Sequence, residues 1–132
     1  MKNHKMILVI DDEMDIVVPV ADALTEHGYK VIDAYDGIEG LAMAKTFEPD
    51  LIILDINMPK MSGLEFYDEL TMRSNASRPP YPVLVLTASH DLEKIFKGVN
   101  IAGFMQKPFE LDDLLEKVDS ILFDRFTKIL DN

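Results

Sequence analysis

The chain has 132 residues, of which 48% are hydrophobic and 28% are charged, a balance typical of one globular domain and unlike that of disordered or collagen-like chains. Its formal net charge of −11 argues against binding to nucleic acid or to an anionic membrane surface. It contains no cysteine, which excludes disulfides, thiolate metal sites and a cysteine nucleophile. No apolar run approaches the roughly 20 residues of a membrane-spanning helix. We therefore expect a soluble, cytoplasmic protein, or one domain of a larger protein.

The first half of the chain alternates between short apolar runs and helical patterns. Residues 6–10 form an apolar run typical of a buried strand, and residues 30–34 form a less apolar run typical of an edge strand. A helical pattern lies between them, for which we expect Asp15 as the N-cap and Gly28 as the stop. A second helix is predicted over 38–47.

The second half continues the same alternation, interrupted by a proline-rich loop over 73–82 whose prolines favour extended backbone. Three strands and three helices are predicted here in turn: strand 50–55, helix 63–72, strand 83–87, helix 92–99, strand 103–106 and helix 111–130. Six apolar residues of the last helix are predicted to face the core: Leu111, Leu114, Leu115, Val118, Ile121 and Leu122.

This order of elements predicts one doubly wound α/β domain over residues 1–132. Strands that alternate with helices are parallel and are joined by right-handed crossovers. Five strands and five helices fit the flavodoxin-like strand order 2-1-3-4-5. The core is expected over about residues 5–122, with the last helix extending to about residue 130.

Polar side chains stand where four of the predicted strands end, namely Asp11 and Asp12, Asp55, Thr87, and Lys107. The carboxyl ends of parallel strands meet at the crevice where ligands bind in this architecture. Three carboxylates that lie close together repel one another unless protons or a cation neutralise them. Carboxylate oxygen favours hard cations such as Mg²⁺, Mn²⁺ or Ca²⁺. A lysine and a threonine hydroxyl beside such a cation complete a set that binds a phosphoryl group.

Four motifs at these positions resemble those of the receiver domain of two-component response regulators. They are Ile-Asp-Asp-Glu at 10–13, Pro-Asp-Leu-Ile-Ile-Leu-Asp-Ile-Asn-Met-Pro-Lys-Met-Ser-Gly at 49–63, Leu-Thr-Ala at 86–88 and Lys-Pro-Phe at 107–109. They occur in the family's order, and the resemblance covers about residues 5–122. It implies a signalling phosphoacceptor that assists its own phosphorylation and dephosphorylation, and not an enzyme.

Carried onto this sequence, the resemblance implies that Asp55 accepts a phosphoryl group from the phosphohistidine of a histidine kinase or from a small acyl phosphate. Asp12 and Asp55 would bind Mg²⁺, with Mn²⁺ as the alternative ion, through their side chains. Asp11 would act through a metal-bound water, and Asn57 would offer its backbone carbonyl. Lys107 would pair with Asp55 and then with the phosphoryl group.

The resemblance also implies a switch between two surfaces. Thr87 would bond a phosphoryl oxygen and move inward, and Phe104 would fill the space that Thr87 leaves. The peptide bond between Lys107 and Pro108 is expected to be cis.

The surface that responds to phosphorylation is expected to comprise the helix at 92–99, the strand at 103–106 and the helix at 111–130. Four apolar residues extend the last helix beyond its core stripe: Phe123, Phe126, Ile129 and Leu130. An exposed apolar cluster favours a docking face, here for a downstream target, an output domain or a second copy of the chain. A sensor histidine kinase or phosphotransfer protein would act upstream. We expect either a stand-alone receiver or a piece of a larger regulator or hybrid kinase.

Two other functions use part of the same residue set. A haloacid-dehalogenase-like phosphatase also uses a strand-end aspartate and Mg²⁺, but it needs a second aspartate two residues further on, where this chain has Asn57. A receiver-like module that only binds and is never phosphorylated is disfavoured by four intact residues, Asp12, Asp55, Thr87 and Lys107. No Gly-x-Gly-x-x-Gly motif follows the first strand, which excludes a dinucleotide-binding domain.

Overall fold

The computed structural model describes residues 5–58, 61–74, 81–88 and 101–131. Five strands and four helices lie within these ranges. In chain order they are β1 (Met6–Ile10), α1 (Met14–Glu26), β2 (Lys30–Ala34), α2 (Gly37–Phe47), β3 (Leu51–Asp55), α3 (Gly63–Ser74), β4 (Val83–Thr87), β5 (Gly103–Gln106) and α4 (Leu111–Asp131). The helix predicted over 92–99 lies outside the described residues, as do residues 75–80 of the proline-rich loop.

The five strands form one parallel sheet in the order β2-β1-β3-β4-β5. The predicted flavodoxin-like strand order is therefore confirmed, and β2 lies at an edge, as its lower apolar content indicated. The central strands β3 and β4 are buried at every residue, because helices cover both faces of a doubly wound sheet.

Alternate strand residues pack into two separate cores, one on each face of the sheet. Even-numbered residues of β1 and β3 and odd-numbered residues of β4 pack with α2 and α3. The other residues of these strands pack with α1 and α4. This two-residue period follows from the pleat of a strand, and it determines which strand-end side chains can meet.

Helix α1 begins two residues earlier than the sequence predicted. Its N-cap is Glu13, so the prediction of Asp15 as the cap is wrong, and Asp15 lies instead in the first turn of the helix. The reason is that the side chain of Asp11 accepts a hydrogen bond from the Glu13 N–H at 3.0 Å, which turns the chain directly into the helix. At the other end Gly28 has φ 102°, a left-handed conformation that favours glycine, as the predicted stop requires.

Helix α4 packs on α1 through only part of its predicted apolar stripe. Leu114 and Val118 are fully buried, whereas Leu111 is exposed, so the prediction that Leu111 faces the core is wrong. Leu111 is the first residue of the helix, at the end where its side chain is open to solvent. Further along, the Asp119 carboxylate accepts hydrogen bonds from His27 and from the Tyr29 hydroxyl, which attaches α4 to the turn between α1 and β2.

None of the helices in the described ranges is long and apolar enough to span a bilayer.

Gly40 of α2 lies directly against the side chains of Ile10 on β1 and Phe66 on α3. A Cβ at this position would stand 2.6 Å from Ile10 Cδ1 and 3.2 Å from Phe66 Cε1, and both of these side chains are fully buried. We expect Gly40→Ala to lower the free energy of unfolding by about 1–3 kcal/mol through overpacking, although alanine is a better helix former by about 1 kcal/mol. Urea unfolding measures the change.

Thr46→Ala, at an exposed position of the same helix, is the matched control, and it should leave stability unchanged or slightly raised. A Gly40→Ala protein as stable as the natural one would show that the core around Ile10 and Phe66 relaxes without cost.

Candidate functional site

Three charged side chains meet at the carboxyl edge of the sheet, where β1, β3 and β5 end. Asp11 follows β1 and is fully buried, Asp55 is the last residue of β3 and is 3% exposed, and Lys107 follows β5. Each of the three lies two residues after a strand residue that packs with α1 and α4. These preceding residues are Val9, Ile53 and Met105, respectively. The two-residue period of the strands therefore turns these three side chains to the same face.

The Lys107 ammonium lies among three carboxylates. Its Nζ donates a hydrogen bond to Asp11 Oδ2 at 2.9 Å and lies 3.6 Å from Glu13 Oε1 and 3.7 Å from Asp55 Oδ2. The resemblance implied a pair with Asp55; in the structure the hydrogen bond goes to Asp11, and Asp55 is at ion-pair distance. The Lys107 N–H donates to the Thr87 carbonyl at 2.7 Å, and the Lys107–Pro108 peptide bond is cis.

Four carboxylates form one cluster around this ammonium. Asp11, Asp12, Glu13 and Asp55 each place a carboxylate oxygen within 4.8 Å of the others, and Asn57 donates its N–H to Asp55 Oδ1 at 3.2 Å. Such a set of hard oxygen ligands suits Mg²⁺, Mn²⁺ or Ca²⁺. The sequence did not single out Glu13. Its position directly after the Asp11–Asp12 pair could have indicated it, because the turn into α1 keeps successive side chains near the strand end.

The electrostatics of the cluster shift the pKa of two groups. Burial raises the pKa of Asp55 to about 6, with help from the negative charges of Asp11 and Asp12, while the Asn57 N–H and the Lys107 charge oppose the increase. Burial lowers the pKa of Lys107, but the hydrogen bond that Lys107 donates to Asp11 and the charges of the neighbouring carboxylates outweigh it, so the net pKa is raised. The site therefore favours added positive charge.

Thr87 and Phe104 belong to the opposite face of the sheet. Thr87 is two residues after Val85, which packs with α2 and α3, and Phe104 is the register partner of Val85 on β5. Thr87 is fully buried, whereas Phe104 is 41% exposed. The two residues therefore lie on adjacent strands and the same face, with the phenyl ring partly in solvent.

The response regulator receiver domain model matches residues 7–119, which is most of the chain and includes all the strand ends described above. The chain belongs to the response regulator receiver domain family. Receiver domains are phosphoacceptors of two-component signalling and are not classical enzymes, so membership sets aside the haloacid-dehalogenase-like phosphatase.

Curated relatives of this receiver domain include longer transcriptional regulators. The alkaline phosphatase synthesis transcriptional regulatory protein PhoP of Bacillus subtilis is 38% identical over 122 residues, which cover 90% of this chain and 49% of PhoP. Response regulator MprA of Mycobacterium ulcerans is 34% identical over 128 residues, which cover 96% of this chain and 53% of MprA. The chain thus spans about half the length of these relatives.

Solved structures of receiver proteins have the same fold. Chemotaxis protein CheY4 of Vibrio cholerae matches with a TM-score of 0.81 and 35% identity, covering 91% of this chain and 100% of CheY4. Response regulator TrrA of Thermotoga maritima, solved in complex with Mg²⁺-BeF, matches with a TM-score of 0.76 and 33% identity, covering 89% of this chain and 99% of TrrA.

Proposed function

We propose that this receiver domain is phosphorylated on Asp55. The observation that carries the proposal is the nearly buried Asp55 carboxylate at the end of β3, with the Lys107 ammonium 3.7 Å away. In the transfer, an Asp55 oxygen forms a bond to phosphorus while phosphorus loses its bond to the donor. The donor is the phosphohistidine of a sensor histidine kinase or phosphotransfer protein, or a small acyl phosphate.

Both reactants are anionic, so the site must reduce their repulsion. Lys107 supplies one positive charge, and its side chain is only 11% exposed. The residues that would hold a divalent cation are Asp11, Asp12 and Asp55 with the backbone carbonyl of Asn57, and their hard oxygen atoms fit Mg²⁺ or Mn²⁺. When bound, the ion neutralises charge on the phosphoryl oxygens. The relative TrrA, crystallised with Mg²⁺-BeF, supports this choice.

The signal would leave the site through Thr87 and Phe104. The phosphoryl group adds negative charge and strong acceptor oxygens, to which the Thr87 hydroxyl would donate on moving inward. Phe104, partly exposed on the same face, would then turn into the space that Thr87 leaves. With Asp55 and Lys107, Thr87 completes the set that touches the phosphoryl group, so the domain assists its own phosphorylation and dephosphorylation.

The partners follow from this direction of signalling. The responding face would comprise β5, α4 and residues 92–99, which lie outside the described residues, with a downstream target, an output domain or a second copy of the chain as its occupant. The relatives that extend beyond the matched region support an output domain. A histidine kinase or phosphotransfer protein would deliver the phosphoryl group, and the domain would span residues 1–132.

Incubation with acetyl phosphate and Mg²⁺ should add the mass of one phosphoryl group to the protein. Asp55→Asn should abolish the addition, because asparagine is not a nucleophile for this transfer, and a chelator should prevent it in the natural protein. Intact-protein mass spectrometry measures both effects. The matched control is Asp22→Asn, an exposed change in α1, which should be labelled normally. Labelling that persists in Asp55→Asn would identify a different nucleophile.

A further inference from the structure

Glu13 occupies the N-cap of α1 without acting as a cap. Its backbone is extended, and its side chain makes no capping hydrogen bond to the start of the helix within the described part of the chain. Short polar side chains are preferred at this position because they reach the free N–H groups of the first turn. The longer Glu13 side chain is 59% exposed and places Oε1 3.6 Å from Lys107 Nζ. Its carboxylate thus serves the charged cluster and not the helix.

The position of Lys107 reflects a competition among carboxylates. Asp11 holds the ammonium by a hydrogen bond at 2.9 Å, and Glu13 attracts it from the exposed side, while Asp55 lies at 3.7 Å. The proposed transfer needs this ammonium beside the oxygens that arrive at Asp55. The Glu13 carboxylate therefore opposes the displacement that Lys107 must make, and it also adds negative charge at the exposed rim of the site.

We infer that Glu13 is a positioning residue that restrains Lys107 and selects against small anionic phosphodonors. The inference rests on the proposed function, since it concerns the same transfer to Asp55. A free acyl phosphate must approach past the Glu13 charge without help, and it must then draw Lys107 away from Glu13. A donor held by a protein partner brings its own contacts and can offset this barrier.

Glu13→Gln should accelerate labelling by acetyl phosphate about threefold to tenfold at low ionic strength, the effect of one nearby charge in a partly solvated site. The acceleration should shrink at high salt, because exposed charges are then screened; a merely structural role for Glu13 would give no such salt dependence. The matched control is Glu26→Gln, the same change at the last residue of α1, about 20 Å along the helix. Glu13→Asp keeps the negative charge, but its shorter side chain can cap the helix, so its acceleration should be smaller than that of Glu13→Gln.

A crystal structure of metal-free Glu13→Gln tests the position of Lys107 without any phosphoryl transfer. Without Glu13 the ammonium should move to hydrogen-bond distance of Asp55 Oδ2, from 3.7 Å in the natural protein. Calorimetry of Mg²⁺ binding, without a phosphodonor, should show in Glu13→Gln at most the loss of affinity that removal of one nearby charge causes, about tenfold at low ionic strength, and this loss should shrink at high salt. Glu26→Gln should bind Mg²⁺ like the natural protein. A much larger loss of affinity in Glu13→Gln, or one that persists at high salt, would make Glu13 a metal ligand and overturn the inference.

Three further results would also overturn it: Lys107 unmoved in Glu13→Gln, labelling no faster than in Glu26→Gln, or an acceleration equally large in Glu13→Asp. Failure of the proposed function is distinct, because the natural protein and Glu26→Gln would then both stay unlabelled at Asp55. The crystal structure would still decide whether Glu13 positions Lys107.

Discussion

Asp55→Asn should make the metal-free protein more stable at pH 7.5, raising the free energy of unfolding by about 3 kcal/mol. The pKa of Asp55 is raised from 3.8 to about 6, and each pKa unit corresponds to about 1.36 kcal/mol. Burial and the neighbouring carboxylates disfavour the ionised form, whereas the unfolded chain ionises freely. The neutral amide keeps an oxygen for the Asn57 N–H and removes the buried charge.

The pH dependence gives the sign of this effect directly. Well below pH 3.8 the Asp55 carboxyl is protonated in both states and costs nothing. As the pH rises through the unfolded pKa of 3.8 towards the folded pKa of about 6, the unfolded chain releases the proton first, so the stability of the natural protein falls relative to Asp55→Asn. Well above the folded pKa both states are ionised and the difference is constant.

Urea unfolding of both proteins between pH 4 and 8, in a chelator, measures this difference. Asp22→Asn, an exposed carboxylate on α1, should change stability by less than about 0.5 kcal/mol at every pH. Added Mg²⁺ should stabilise the natural protein more than Asp55→Asn, because the variant lacks one ligand. An Asp55→Asn protein that is less stable, or a difference that does not vary with pH, would contradict the assignment of Asp55 as a destabilising buried charge.

The sequence was most informative where a strand is buried on both faces of the sheet. The bounds of Val83–Thr87, which is buried at every residue, were predicted correctly because an apolar run between polar ends leaves few alternatives. The bounds of Gly103–Gln106, an edge strand with alternate residues exposed, were also predicted correctly. The end of α1 was predicted from Gly28, since the left-handed backbone conformation that ends a helix favours glycine. The start of α1 was not, because a local contact that the apolar pattern does not reveal, the Asp11 carboxylate on the Glu13 N–H two residues later, decides it.

The charged cluster was only partly predictable because its contacts join residues that are distant in the sequence. Parallel strand ends brought Asp11, Asp55 and Lys107 to one edge of the sheet, and the two-residue period turned them to one face. Local patterns could not indicate which carboxylate accepts the hydrogen bond from the Lys107 ammonium. That choice depends on distances between side chains that are far apart in the sequence; Asp11 and Lys107, for example, are separated by 96 residues. The contribution of Glu13 depends in turn on the unexpected start of α1.

Lys107→Met should destabilise the metal-free protein by about 3–4 kcal/mol at pH 7.5. The reason is that Asp11, which is fully buried, would lose the ammonium that donates to it at 2.9 Å, and a buried charge left without its partner costs several kcal/mol. Urea unfolding measures the loss. Lys30→Met, an exposed lysine on the edge strand β2, is the matched control and should change stability by less than about 0.5 kcal/mol.

A double variant separates the electrostatic loss from the loss of packing. If the cost comes from the unpaired Asp11 charge, Asp11→Asn combined with Lys107→Met should recover at least half of the stability, because neither charge remains in the buried site. The penalty of Lys107→Met should stay constant between pH 7 and 9, since the pKa of Lys107 is raised above its usual value of 10.5. A penalty that survives in the double variant would instead assign the cost to the lost contacts of the lysine stem, and Lys107 would then stabilise the fold mainly by packing at the end of β5.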